Sequence, residues 1–267
     1  METAAVARQV DETSWYHSIE VAPGLVTPGW FDHRAVVDRI PWPELTGRRC
    51  LDVGTFDGFW AFTMERRGAG EVVAVDVAEP SEWDWPADTA PGAVEAIGSR
   101  RSRGDGFLVA RGALGSSVTR LDLNVYDLDP AEVGRFDVVF VGSLLLHLRD
   151  PVRALERVRA VCGGRLVLMD AVDLGLSLSR RPVARLDGRG RPWWWKPNRA
   201  ALRRMVEAAG FRVVSGPAPL RVPAGADQRR SWRPSARALT SSEGREALGR
   251  VLWGDPHAVV TAEPSVG

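Results

Sequence analysis

The chain has 267 residues, 45% hydrophobic and 26% charged, which is the usage of a globular protein with one large domain and a modest appendage. Its longest apolar stretch, 136–148, is shorter than the roughly 20 residues a membrane-spanning helix needs, and the first ten residues lack a secretory apolar core. The net charge of +1 hides an imbalance: 18 Lys/Arg against 27 Asp/Glu over residues 1–179, 15 against 3 over 180–237, and 2 against 4 in the remainder.

Residues 1–13 are polar and read as a frayed end. An aromatic arm punctuated by proline and glycine follows from Trp15 to Pro43, with a short helix expected around Asp32–Ile40. The text then changes. Arg49–Val53 is a compact apolar run that reads as a buried parallel strand, and Phe59–Arg67 is a helix stopped by Gly68 and Gly70. Glu71–Val77 is a second strand, and Pro80–Arg103 reads mostly as loop. Phe107–Leu114 is a helix, Leu121–Val125 a third strand and Phe136–Gly142 a fourth. Val152–Val161 is a helix and Arg165–Asp170 a fifth strand. Ala200–Ala209 is a helix closed by Gly210, Phe211–Val214 a sixth strand and His257–Thr261 a seventh. Strands alternating with helices predict an α/β fold with a doubly wound, mostly parallel sheet. The expected division is an arm over 1–46, a core over 47–175, a basic and tryptophan-rich lid over 176–198, and the rest of the core over 199–267. Cys50 and Cys162 lie in apolar runs, as reduced thiols of a cytoplasmic protein would, and neither forms a metal-spaced set with the four histidines.

The stretch Leu51-Asp52-Val53-Gly54-Thr55-Phe56-Asp57-Gly58-Phe59 carries most of the chemistry. A strand delivers an acid, and glycines at 54 and 58 let the backbone turn tightly and approach a ligand before a helix opens. Asp76, 18 residues past Gly58, ends the second strand, where an acid can bind the ribose hydroxyls of an adenosine. The spacing lacks the middle glycine of the dinucleotide fingerprint, and Asp57 in the loop would repel a diphosphate but tolerate a cationic ligand.

From about Gly47 to Phe211 this pattern resembles the class I S-adenosylmethionine-dependent methyltransferases. More narrowly, Trp15-Tyr16-His17, Asp52-Val53-Gly54, Leu144-Leu145-Leu146-His147, Pro197-Asn198 and Ala209-Gly210-Phe211 resemble the tRNA wobble-uridine (5-oxyacetic acid) carboxymethyltransferase-like family. The resemblance implies a seven-stranded Rossmann-like methyltransferase sheet with an N-terminal arm, a lid insertion and S-adenosyl-L-methionine as cofactor. It places Gly54, Thr55 and Gly58 along the methionine and ribose portion, Asp52 near the amino group and Asp76 on the ribose. Asn124 and Val125, with Asp127 as the competing candidate, would meet the adenine, and the backbone from Gly142 to Leu144 the methionine end.

Transfer from a sulfonium is an in-line displacement with a good leaving group, so the protein aligns the acceptor and removes a proton where one must go. His147, after the fourth strand, has the residue type of a general base at neutral pH; the alternative is that it packs on the following helix. Tyr16 and His17, further catalytic candidates, sit on an arm that can fold over the site, with Trp15 stapling the arm to the core. Asp170 either orients a group in the site or caps a helix. Trp193, Trp195 and Arg199 are candidate substrate residues: the rings stack on a flat acceptor, or else cover the sheet edge. In the wobble-uridine enzymes the resemblance leads one to expect a tyrosine before the histidine, plus a lysine and an arginine, around the donor's extra carboxylate. Leu146 stands at that tyrosine position, and the single lysine, Lys196, lies far downstream. The expectation is therefore methyl transfer to a small-molecule acceptor, as in specialised metabolism. The alternatives are a tRNA (carboxy)methyltransferase that uses the basic 180–237 block to hold nucleic acid, and a cofactor-binding protein without turnover.

Overall fold

The computed structural model describes residues 3–90, 92–95, 105–190, 192–231 and 242–265. Part of the expected 80–103 loop and the arginines at 191, 233 and 237 lie outside the described residues. A seven-stranded sheet runs in the spatial order β10 (Phe211–Val222), β11 (Asp255–Pro264), β7 (Cys162–Ala171), β6 (Phe136–Gly142), β3 (Arg49–Val53), β4 (Glu71–Asp76), β5 (Thr119–Asp122). All neighbours pair in parallel except β11, which is antiparallel to both β7 and β10. Two short strands precede the sheet, β1 (Glu20–Ala22) and β2 (Leu25–Val26), and the hairpin β8 (Ala184–Leu186) and β9 (Trp195–Pro197) follows β7.

The continuous apolar runs formed central strands because both faces of the sheet are covered. Successive residues serve opposite sides. Cys50, Val138 and Phe140 join the apolar layer under α2 (Phe59–Arg66), while Leu51, Val139 and Val141 join the layer under α5 (Pro151–Val161) and α6 (Arg199–Ala208). The helices start where the sequence offers caps. Asp105 accepts the N–H groups of Phe107 and Leu108 at the head of α3 (Gly106–Leu114). Asp150 accepts that of Arg153, with Pro151 beside it.

The structure corrects the reading in four places. Residues 3–12 form a helix, α1 (Thr3–Glu12), in place of the expected frayed end: Val6 and Val10, one turn apart, bury a narrow stripe in the core. The expected helix at 32–40 is two 3-10 turns, 33–35 and 37–39. The third strand ends at Asp122 because the Asn124 carboxamide accepts the Tyr126 N–H and turns the chain. The sixth strand continues past Gly216-Pro217 to Val222, its register shifting after Val213 and Ser215 so that pairing with β11 survives the proline. Cys50 and Cys162 are buried free thiols. No helix among the described residues is long and apolar enough to cross a membrane.

The order of the strands reverses between β3 and β6: the chain winds outward from β3 through β4 to β5, then from β6 to β7. In open α/β sheets such a reversal opens a crevice at the carboxyl ends of the strands. Gly54 and Gly142 stand at that edge.

Candidate active site

The loop after β3 is built from residues in left-handed conformations: Gly54 at φ +77, Phe56 at +50 and Gly58 at +91. A Cβ at Gly58 would lie 2.4 Å from the Phe62 ring and 2.8 Å from Phe107, so only glycine lets α2 start there. Two carboxylates brace the loop. Asp52 accepts the Thr55 hydroxyl at 2.7 Å and the Ala61 N–H at 3.0 Å, and burial pushes its carboxyl up to about 7. Asp76 accepts the Phe56 N–H at 2.5 Å through one oxygen and the Val77 N–H at 2.8 Å through the other. Asp76 ends β4 at the carboxyl edge of the sheet, where a carboxylate can accept from ribose hydroxyls. The loop thus fits an adenosyl group: a glycine turn at the switch point, an acid at the end of β4, and a buried acid whose charge a cation would stabilise. Asn124 has its oxygen on the Tyr126 N–H, and Val125 is buried in the layer under α5. Gly142, half-buried, ends β6 beside Trp60.

The structure corrects the reading of Asp57. Its carboxylate is buried and turned to the N-terminal arm. One oxygen accepts the N–H groups of Tyr16 and His17 at 2.8 and 2.9 Å, and the other is bonded to the His17 Nδ1. The His17 ring stacks on Phe59 with centroids 5.5 Å apart, and Trp15 donates its indole N–H to the Val10 carbonyl. Tyr16 stays half-buried, its ring against Phe31 and Phe56. Burial, reinforced by the carboxylates of Asp255, Asp170 and Asp57, raises its phenol well above the ordinary range. His33 packs among His17, Phe59 and Trp60. Burial holds its imidazole neutral, and its Nδ1 is without a hydrogen-bond partner among the described residues.

A second polar group lies where β11 enters the sheet. Because β11 runs antiparallel to β7, its first residues reach the same edge as the last residues of β7; His257 is registered with Ala171 and Ala258 with Asp170. Asp170 accepts the Leu145 and Ala171 N–H groups, and burial pushes its carboxyl up to about 6. Ser143, the residue after β6, has φ +53, and its Oγ lies 2.9 Å from the His257 Nε2. The sequence points to Asp170 and to the backbone at Ser143, but not to the Ser143 hydroxyl, Asp255 or His257. A histidine at the start of a final strand points to this edge only once that strand is known to be antiparallel.

The tryptophans and His147 sit elsewhere, on the β8–β9 hairpin and its dock. His147 donates from Nδ1 to the Pro192 carbonyl at 2.8 Å, which leaves the lone pair on Nε2, and burial lowers its pKa. The Trp194 N–H bonds to the Leu146 carbonyl. The indoles of Trp194 and Trp195 donate to the carbonyls of Asp84 and Arg149, while Trp193 is exposed. Asn198 fixes the base of the insertion: its amide nitrogen lies 2.8–3.1 Å from the carbonyls of Leu176, Ser179 and Arg181, and its oxygen caps α6. Arg199 follows, exposed.

Comparison with known proteins gives the family. The chain is 31% identical over 173 residues to the tRNA U34 carboxymethyltransferase of Marinobacter nauticus, a match covering 63% of this chain and 45% of that one. It is 30% identical over 177 residues to that of Ectopseudomonas mendocina, covering 65% and 48%. The chain therefore spans about half the length of these relatives. Among known structures, the N-terminal domain of EvdMO1, crystallised with SAH, superposes with a TM-score of 0.55 at 18% identity, covering 99% of this chain and 98% of that one. A family model described as a methyltransferase domain matches residues 32–216, which takes in the glycine loop and most of the sheet. By that match and by its fold, the chain belongs to the methyltransferase domain family, as a class I S-adenosylmethionine-dependent methyltransferase.

Proposed function

We propose that this chain transfers a methyl group from S-adenosyl-L-methionine to a small-molecule acceptor held between the glycine loop and the arm. The observation that carries the reading is the reversal of strand order between β3 and β6, with the left-handed loop 54–58 and Asp76 at the carboxyl ends of the strands beside it. Gly54, Thr55, Gly58 and Gly142 would follow the methionine and ribose portion. Asp52 would face the amino group and Asp76 the ribose, with Asn124 and Val125 at the adenine. The bound cofactor supplies an electrophilic methyl on a sulfonium; the protein aligns the acceptor with it and excludes water. Tyr16 closes the acceptor side, with His17 holding the arm in place. His147 keeps an Nε2 lone pair beside the hairpin that carries Trp193 and Trp195, with Arg199 at the start of α6; these side chains would meet the part of an acceptor that reaches toward the hairpin. Buried free thiols suit a reducing compartment such as the cytoplasm.

The curated relatives keep a tRNA acceptor as the second reading. Two observations favour the small acceptor and the uncarboxylated donor. Leu146, where a donor carboxylate would need a polar partner, is aliphatic, and burying that carboxylate against it would be costly. In the basic block Arg185, Arg203, Arg212 and Arg230 are ion-paired within the chain, to Glu246, Glu207, Glu263 and Asp227. Calorimetry with S-adenosylmethionine and its carboxylated analogue tests the donor: tighter binding of the analogue overturns the choice. Binding of tRNA that weakens steeply with added salt would favour the second reading.

A further inference from the structure

Ser143 is unusual in its backbone, its partner and its place. It is a non-glycine residue held at φ +53, pinned by its N–H on the Met169 carbonyl at 2.7 Å, at the edge where β6 meets the switch point. Such conformations persist where the surroundings impose them. Its hydroxyl lies 2.9 Å from the Nε2 of His257, which is buried. The other ring nitrogen, Nδ1, lies 3.1 Å from the Asp255 carbonyl oxygen and 3.6 Å from the Asp255 carboxylate. A carbonyl oxygen only accepts, so Nδ1 carries a hydrogen, and in the neutral ring Nε2 then carries the lone pair. The Ser143 hydroxyl therefore donates to His257, and its own lone pairs are left for a group in the crevice.

We propose that Ser143 takes the proton of a hydroxyl acceptor during methyl transfer and passes its own proton to His257, which Asp255 orients. The inference rests on the function proposed above and names its acceptor class. The acceptor oxygen forms a bond to the methyl carbon as the carbon–sulfur bond breaks, with that electron pair staying on sulfur. The acceptor's proton goes to the Ser143 oxygen, and the serine's proton goes to Nε2. The resulting imidazolium lies against the Asp255 carboxylate and beside Asp170, whose neighbour in register is Ala258. Ser143 is the catalytic group; His257 and Asp255 are positioning residues. A thiolate or a free amine attacks without such a relay, so the arrangement selects a hydroxyl.

The deciding experiment is nitrogen-15 NMR of the histidine-labelled full chain, with His257 assigned from His257→Gln. The expected signature is a protonated Nδ1 and a bare Nε2, with the Nε2 resonance shifting in Ser143→Gly, a variant that also relaxes the strained backbone. A protonated Nε2 in the wild type overturns the proposal, and so does an Nε2 resonance that Ser143→Gly leaves unmoved. In parallel, methyl-labelled S-adenosylmethionine is offered with a panel of neutral sugars and phenols, amines and thiols. Label passing to hydroxyl compounds, with kcat about 100-fold lower in Ser143→Gly and an unchanged KM for the donor, supports it. Transfer that Ser143→Gly leaves undiminished, or that reaches only amines or thiols, overturns it. Wild-type protein that fails to bind S-adenosylhomocysteine would instead strike the cofactor assignment and leave the tautomer result standing.

Discussion

The Asp57 carboxylate of the glycine loop and the His17 imidazole of the arm, 40 residues apart in the chain, are bonded to one another and buried. The same carboxylate also takes the backbone N–H groups of Tyr16 and His17. The cover of the site is therefore fastened to the loop that would hold the cofactor. Asp57→Ala would leave both amides unpaired in a dry setting, each costing about 1–3 kcal/mol. The expected result is a loss of about 3 kcal/mol in urea unfolding, with early proteolysis before residue 32. Wild-type stability and protease resistance would show the clamp to be idle.

The tight start of α2 gives a second expectation. Gly58→Ala combines φ +91 with a Cβ 2.4 Å from Phe62, whereas Gly24→Ala has φ +76 and no atom within 4 Å. The first should cost about 3 kcal/mol or more through strain and overpacking, and the second about 1 kcal/mol through strain alone. Thermal melts of the two variants side by side check the difference. Equal losses would mean that the phenylalanines yield.

Asp76 carries the cofactor assignment, but its bond to the Phe56 N–H means that truncation also disturbs the loop. Asp76→Asn keeps an acceptor for that N–H while removing the charge. Calorimetry with S-adenosylhomocysteine should show at least about a 10-fold weaker Kd for Asp76→Asn, the scale of one lost charged hydrogen bond, and a larger loss for Asp76→Ala. Full affinity in both would place the ribose elsewhere.

Buried acids at the crevice make stability depend on pH in an unusual direction. Asp52 is pushed up to about 7 and Asp170 to about 6 by burial. In the unfolded chain both release their protons near pH 4. Between about pH 4 and 7 the folded state thus binds more protons than the unfolded state, and stability falls as pH rises, by at most about 1.4 kcal/mol per pH unit for each group. Urea unfolding at pH 5 and pH 7.5 should show a smaller loss in Asp52→Asn than in the wild type. An identical loss in both would assign the buried charge to another residue.

Much of the sheet was legible because parallel strands buried on both faces appear as unbroken apolar runs, as at Arg49–Val53 and Phe136–Gly142. The N-terminal helix was not, since Val6 and Val10 are too short a stripe to stand out among polar residues. The sixth strand was legible only to Val214, since the register shift that carries it past Gly216-Pro217 to Val222 depends on its pairing with β11. At the site, local motifs pointed to Gly54, Gly58 and Asp76. The partnerships of Asp57 with His17 and of Ser143 with His257 span 40 and 114 residues and leave no local trace. Asp57 in particular has the same sequence context whether it meets a ligand or an arm.

The direction of β11 has a consequence for how the molecule is made. Tyr16 emerges from the ribosome well before His257, yet both border one edge of the sheet. A nascent chain can assemble the parallel strands and the cofactor loop while the reacting face still lacks a wall. Contacts of such long sequence separation form slowly, so the acquisition of chemistry should lag behind the acquisition of shape.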